Sequence, residues 1–106
     1  MGNMLEIIKI LATHGKIQIS EHGYDELAED GIFVRDIVSG LHDAEILEEY
    51  PEYHKGACIL VLEYDCEEKP VHAVWGIPKG KSSPAVLVTA YRPDKNRWSD
   101  DFRRRK

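Results

Sequence analysis

Residues 57–77 read ACILVLEYDCEEKPVHAVWGI. The aliphatic run from Ala57 to Asp65 and the run from Val71 to Ile77 are each bounded by turn signals, the pattern of a strand. The polar segment between them, Cys66–Pro70, reads as a turn. Downstream, PKGKSSP (78–84) is a flexible loop, and AVLVTAYRP (85–93) is a last strand closed by Pro93 and Asp94. Upstream, DAEILEEYPEY (43–53) holds a short strand around Glu45–Tyr50.

Before residue 43 the periodicity changes. Met4, Leu5, Ile7, Ile8, Leu11 and Ala12 recur at helical spacing, and Gly15 sits where a cap glycine would. KIQIS (16–20) is an extended connector. Ser20 offers an N-cap to a second helix with Tyr24, Leu27 and Ala28 on one face, stopped at Asp30-Gly31. A third short helix turns Val34, Ile37, Val38 and Leu41 inward. Helices first and strands afterwards predict an α+β fold: two to three N-terminal helices on one face of a four-stranded antiparallel meander. The expectation is a single domain over residues 1–106, with a basic C-terminal tail at about 99–106.

At 106 residues, 42% hydrophobic and 31% charged, the chain supports one core without staples. Two cysteines, Cys58 and Cys66, point to a reduced compartment rather than a disulfide framework. MLEIIKILA is broken by Glu6 and Lys9, and no apolar run is long enough for a membrane span, so a bacterial, cytoplasmic chain is expected. The net charge of −5 is unevenly spread. Residues 92–106 carry seven Lys/Arg against three Asp, net +4, which leaves −9 on residues 1–91. A basic tail on an acidic body attracts an anionic partner locally; read alone, RRRK is a solvated, frayed end.

His54, Cys58, Cys66 and His72 lack zinc spacing. The two cysteines, at opposite ends of one strand, would lie about 26 Å apart, beyond shared coordination or a disulfide. No metal and no cofactor are expected. GIPKGKSSP lacks the Walker spacing, though Lys79 and Lys81 could touch an anionic ligand. Two histidines carry more. His22 falls in the first turn of the second helix, where the positive end of the dipole disfavours imidazolium and suits a base. His72 lies in a strand, and pairing Tyr64 with Val71 would set Glu63 directly across from it as an orienting carboxylate. Thr89 and Tyr91 share one face of the last strand, with Arg92 leaving from the other. Hydroxyl, phenol and guanidinium together suit an anion or phosphodiester clamp; read singly, Thr89 and Tyr91 are good strand formers and Arg92 a surface charge.

The succession ISEHGYDELAEDGI, EEYPEY, VHAVWG and VLVTAYRPDKNRW resembles the bacterial domain-of-unknown-function 4258 (DUF4258) family, from about Leu5 to Trp98. That family has been grouped with small ribonucleases of the barnase, EndoU, colicin and RelE-toxin type, which place helices before a four-stranded antiparallel sheet. The resemblance implies metal-free RNA cleavage, with His22, His72, Thr89 and Tyr91 at the motif positions. Where many members carry arginines after the helix histidine, this chain has Glu26 and Asp30, and Phe33 stands where a capping Ser or Thr is usual.

Three functions are therefore in view. The first is a metal-independent ribonuclease, as the toxin of a toxin–antitoxin pair, acting on RNA and held by a cognate antitoxin protein. Here His22 and His72 serve as base and acid, while Arg92, Lys79 and Lys81 bind substrate. The second is a non-catalytic protein- or ligand-binding module that keeps the fold, favoured by the acidic body. The third is a structural homodimer.

Overall fold

The computed structural model of the chain describes residues 4–106. Helical spacing makes α1 (Met4–Thr13) one-sided, with Leu5 and Ile8 buried. Gly15, at φ 71°, turns the chain into β1 (Ile17–Ile19). α2 (Glu21–Asp30) begins where Ser20 Oγ accepts the Gly23 amide at 2.9 Å. It ends at Gly31, whose φ of 64° costs a glycine little. α3 (Val34–Gly40) starts at Phe33 without a side-chain cap. A 3₁₀ turn over Leu41–Asp43 then leads into β2 (Glu45–Tyr50), β3 (Cys58–Tyr64), β4 (Pro70–Gly76) and β5 (Ala85–Tyr91).

The architecture is α+β, but the sheet has five strands rather than four and is mixed rather than antiparallel, in the order β1-β5-β4-β3-β2. The added strand is the KIQIS connector. It pairs in parallel with β5, Ile17 opposite Ala85 and Ile19 opposite Leu87. Such a short segment carries no alternation strong enough to mark a strand; the free edge of β5 makes it one.

Directly opposed residues share a face, so register decides which side chains meet. Ile59, Val61, Val71, Ala73, Trp75, Leu87 and Ala90 face the helices and pack with Leu5, Ile8, Leu27 and Ile37 in the core. The opposite face carries Leu60, Leu62, His72, Val74, Thr89 and Tyr91. Two irregularities adjust this alternation. Val88 is an extra residue between the pairs Val74–Thr89 and Trp75–Leu87, so Leu87 and Ala90 both reach the core. Ser20 Oγ donates to the Val88 carbonyl at 2.7 Å, satisfying the bulge with the same hydroxyl that caps α2. α2 lies so close to β5 that a Cβ on Gly23 would stand 2.9 Å from the Leu87 carbonyl oxygen. In β2, Leu47 is the extra residue, and its insertion turns Glu45 and Glu48 to one side, opposite Leu62 and Leu60.

The register of β3 on β4 corrects one expectation. Tyr64 pairs with Pro70 and Glu63 with Val71, while His72 faces Leu62. The turn takes five residues, 65–69. Asp65 Oδ1 accepts the amides of Glu67 and Lys69, each at 2.9 Å, and Glu68 adopts φ 61°. This one-residue difference sends Glu63 to the face opposite His72. There Trp75 Nε1 donates to Glu63 Oε2 at 3.1 Å, inside the helix-covered core.

The basic C-terminus is not a frayed end. After β5 the chain turns at Asp94, whose carbonyl accepts the Trp98 amide at 3.0 Å, and Trp98 bridges back to Arg105. This small hairpin lies over the second face of the sheet. Among the described residues no helix is long and apolar enough to cross a membrane.

Candidate functional site

His72 and Tyr91 stand opposite one another on β4 and β5, and the imidazole is 0% exposed. Burial is what the C-terminal hairpin adds. Trp98 meets the imidazole edge-on at 4.3 Å between ring centroids, and Tyr91 does so at 5.4 Å. His72 Nε2 lies 2.8 Å from the Phe102 carbonyl oxygen. A carbonyl can only accept, so Nε2 carries the proton and Nδ1 of a neutral ring is left as an acceptor. The Tyr91 hydroxyl, 3.4 Å from Nδ1, is its donor. Phe102 itself sits at φ 60°, a left-handed conformation a non-glycine residue holds at a cost.

Burial lowers the His72 pKa, and the Arg105 charge acts the same way, against opposing contributions from the Phe102 carbonyl and Glu48. The ring is therefore neutral at pH 7. Burial likewise raises the Tyr91 phenol, which keeps its proton.

A charged group frames this pair. Arg105 donates from Nε and Nη2 to the two Glu48 carboxylate oxygens at 2.8 and 3.1 Å, and its guanidinium lies 4.7 Å over the Trp98 ring. Tyr50 donates its hydroxyl to Glu48 as well. Arg103 makes the parallel bidentate contact with Glu45, at 2.7 and 3.0 Å. Hydrogen bonds from these arginines hold both carboxylates below the usual range. The arginines lie two residues apart on the hairpin and the glutamates three apart on β2. The Leu47 bulge reconciles the two spacings.

The expected site residues are divided by this arrangement. His72, Tyr91 and Thr89 share one face, Thr89 one pair further along opposite Val74. His22 does not join them. It is exposed at the start of α2, with Nε2 3.5 Å from Glu26, and lines a separate cleft of about 440 Å³ with Ser20, Tyr53, Lys55, Cys58, Val86 and Val88. Arg92 is committed elsewhere: its Nη2 pairs with Asp65 at 2.7 Å and its Nη1 donates to the Pro70 carbonyl at 3.3 Å. Lys79 and Lys81 sit beyond the Gly76 end of β4, roughly 13 Å or more along the strand from His72. The guanidinium next to His72 is thus Arg105, not Arg92. The sequence signal for it is the opposed charge of tail and body, which gives no register.

Cys58 is buried in β3 and Cys66 exposed in the turn, and both are free thiols. Among the described residues, no group of three or more His, Cys, Asp or Glu side chains is placed to hold a metal ion. Comparison with curated proteins and with solved structures gave no match. The model of the family described as "Domain of unknown function (DUF4258)" matches residues 19–92, which include α2, α3 and all of β2 to β5, with Ile19 of β1. With well over half its length matched and His72, Thr89 and Tyr91 inside the match, the chain belongs to the DUF4258 family.

Proposed function

We propose that this domain is a small metal-independent ribonuclease whose proton-transfer pair is His72 and Tyr91. The observation that carries the reading is their pairing on one sheet face, with a neutral imidazole that has its Nδ1 lone pair on the Tyr91 side. In this chemistry Nδ1 takes the proton of a ribose 2′-hydroxyl, the 2′-oxygen attacks phosphorus, and the P–O5′ bond breaks. The Tyr91 phenol delivers a proton to the departing 5′-oxygen. Thr89 lies on the same face within reach of a neighbouring phosphate. Helices placed before a mainly antiparallel sheet that carries His and Tyr resemble the order of the barnase, EndoU, colicin and RelE-type ribonucleases, which supports the assignment by analogy. The substrate class is single-stranded RNA, and a cognate antitoxin-like protein is the partner such an activity would require.

Incubating the full chain with single-stranded RNA in chelator tests this. Cleavage is expected to fall sharply in His72→Ala and Tyr91→Phe and to persist in His22→Ala. Equal cleavage by wild type and His72→Ala overturns the reading, as does loss in His22→Ala alone.

A second reading, a non-catalytic ligand-binding module, is favoured by the cleft at the other end of the sheet. Its apolar floor of Cys58, Val86 and Val88, with His22 and Lys55 at the rim, suits a small polar ligand with an apolar body. On that reading His72→Gln lowers the melting temperature and leaves ligand or RNA affinity unchanged.

A further inference from the structure

The ring and carbonyl that cover His72 come from residues 93–106. Trp98 and the Phe102 carbonyl lie against the imidazole, and Arg105 lies over Trp98. This segment falls outside residues 19–92, the part of the chain that matches the family. The site and its cover are therefore separable in sequence.

The cover is also separable in structure. Its backbone hydrogen bonds run within the segment: Trp98 to Asp94, Ser99 to Arg104, Phe102 to Ser99 and Lys106 to Arg97. It continues no ladder of the sheet. Its side-chain attachments to β2 are two solvent-facing ion pairs, Arg103 with Glu45 and Arg105 with Glu48. Exposed pairs of this kind are screened by salt and exchange partners readily. A self-bonded hairpin held by two such pairs, the buried Trp98 ring and the Phe102 carbonyl on His72 is a small, separate contact set that can leave the sheet as a unit while the helix-side core stays intact.

We propose that residues 93–106 are an autoinhibitory lid over the His72–Tyr91 face, latched by Arg103–Glu45 and Arg105–Glu48. Its regulatory consequence rests on the ribonuclease reading; its existence as a lid does not. The lid blocks substrate by placing the Phe102 carbonyl on His72 Nε2 and the Trp98 ring edge-on against the imidazole. Opening frees Arg105, whose charge acts on His72, and Arg103 to meet phosphates that the acidic body would otherwise repel.

The test uses the full chain. His72 accessibility is read as its rate of carbethoxylation by diethyl pyrocarbonate, located by peptide mass, and lid mobility as amide exchange in peptides covering residues 94–106. Arg103→Glu with Arg105→Glu is expected to speed His72 labelling about tenfold and to raise exchange in the lid, leaving β3 protected. Adding Glu45→Lys and Glu48→Lys restores the slow rate. In the unaltered chain, raising ionic strength speeds labelling in the same direction, without any variant that must fold. Unchanged labelling in both experiments overturns the lid. So does a rise accompanied by loss of β3 protection, which reports global unfolding. RNA cleavage separates the two proposals: if the opened variant labels quickly yet cuts no RNA, the lid stands and the ribonuclease reading falls.

Discussion

The helix-covered and hairpin-covered faces of the sheet each bury one ionisable side chain beside a tryptophan, and they do so differently. On the helix side Glu63 lies 1% exposed, accepting from Trp75 through one oxygen, while Oε1 has no hydrogen-bond partner among the described residues. Burial pushes this carboxyl up to about 8 despite the Trp75 donor, so it is neutral at pH 7. On the hairpin side both His72 nitrogens have partners, and its cover is an irregular segment tied down by surface ion pairs. A helix layer contributes apolar area that cannot be lost piecemeal; a small hairpin contributes contacts that can. The first arrangement suits a scaffold and the second a site that opens.

Removing each tryptophan should break this contrast most severely. Trp75→Ala leaves a core cavity and an unpartnered Glu63, and should cost about 3–5 kcal/mol in denaturant unfolding. Trp98→Ala should cost on the order of 1–2 kcal/mol, because the hairpin can resettle and the core is untouched. Equal costs would mean that the two covers are equally integral to the fold.

The pH dependence of stability sharpens the comparison. The folded pKa of Glu63 is raised, so its contribution is fully present below 4.5 and is lost as pH rises towards about 8. The folded pKa of His72 is lowered, so its contribution is present above 6.5 and is lost as pH falls through the folded value. The two slopes oppose one another as pH falls below 6.5, while above 6.5 Glu63 alone acts and stability should decline towards about 8. Glu63→Gln should flatten the alkaline limb, whose slope approaches about 1.4 kcal/mol per pH unit. His72→Gln should remove the part of the acid limb that begins at 6.5, leaving the loss below 4.5 that protonation of Glu45 and Glu48 brings. Chemical denaturation across pH 4–9 with each variant reads both limbs.

The smallest expected effect is thermodynamic silence at the latch. Arg103→Ala should leave the melting temperature nearly unchanged while raising amide exchange in residues 94–106, since the pair is exposed and the core does not depend on it. Calorimetry beside exchange mass spectrometry checks this.

Much of the scaffold was legible because its signals are local. Ser20 as a cap, Gly31 as a stop, the β3 and β4 runs and the shared face of Thr89 and Tyr91 each follow from a few neighbouring residues. The errors fall where distant segments choose partners. Ile17–Ile19 became a strand only because β5 offered an edge. Glu63 left His72 because Asp65 closes a five-residue turn. His22 and His72 could be paired on paper as acid and base, but the fold sends one to a cleft rim and the other beneath the hairpin.

By itself the sequence determined the succession of helices and strands, which residues face inward within each element, and the opposition of an acidic body to a basic end. Those properties come from periodicity, turn chemistry and charge counts, which act over a few residues or are simple totals. The tertiary structure alone decided which carboxylates the tail arginines meet, which face Glu63 joins, and that His72 lies beneath Trp98 and Phe102. These outcomes hang on register. One residue gained or lost in a turn or bulge moves a side chain to the other side of the sheet, and only long-range packing selects among such alternatives.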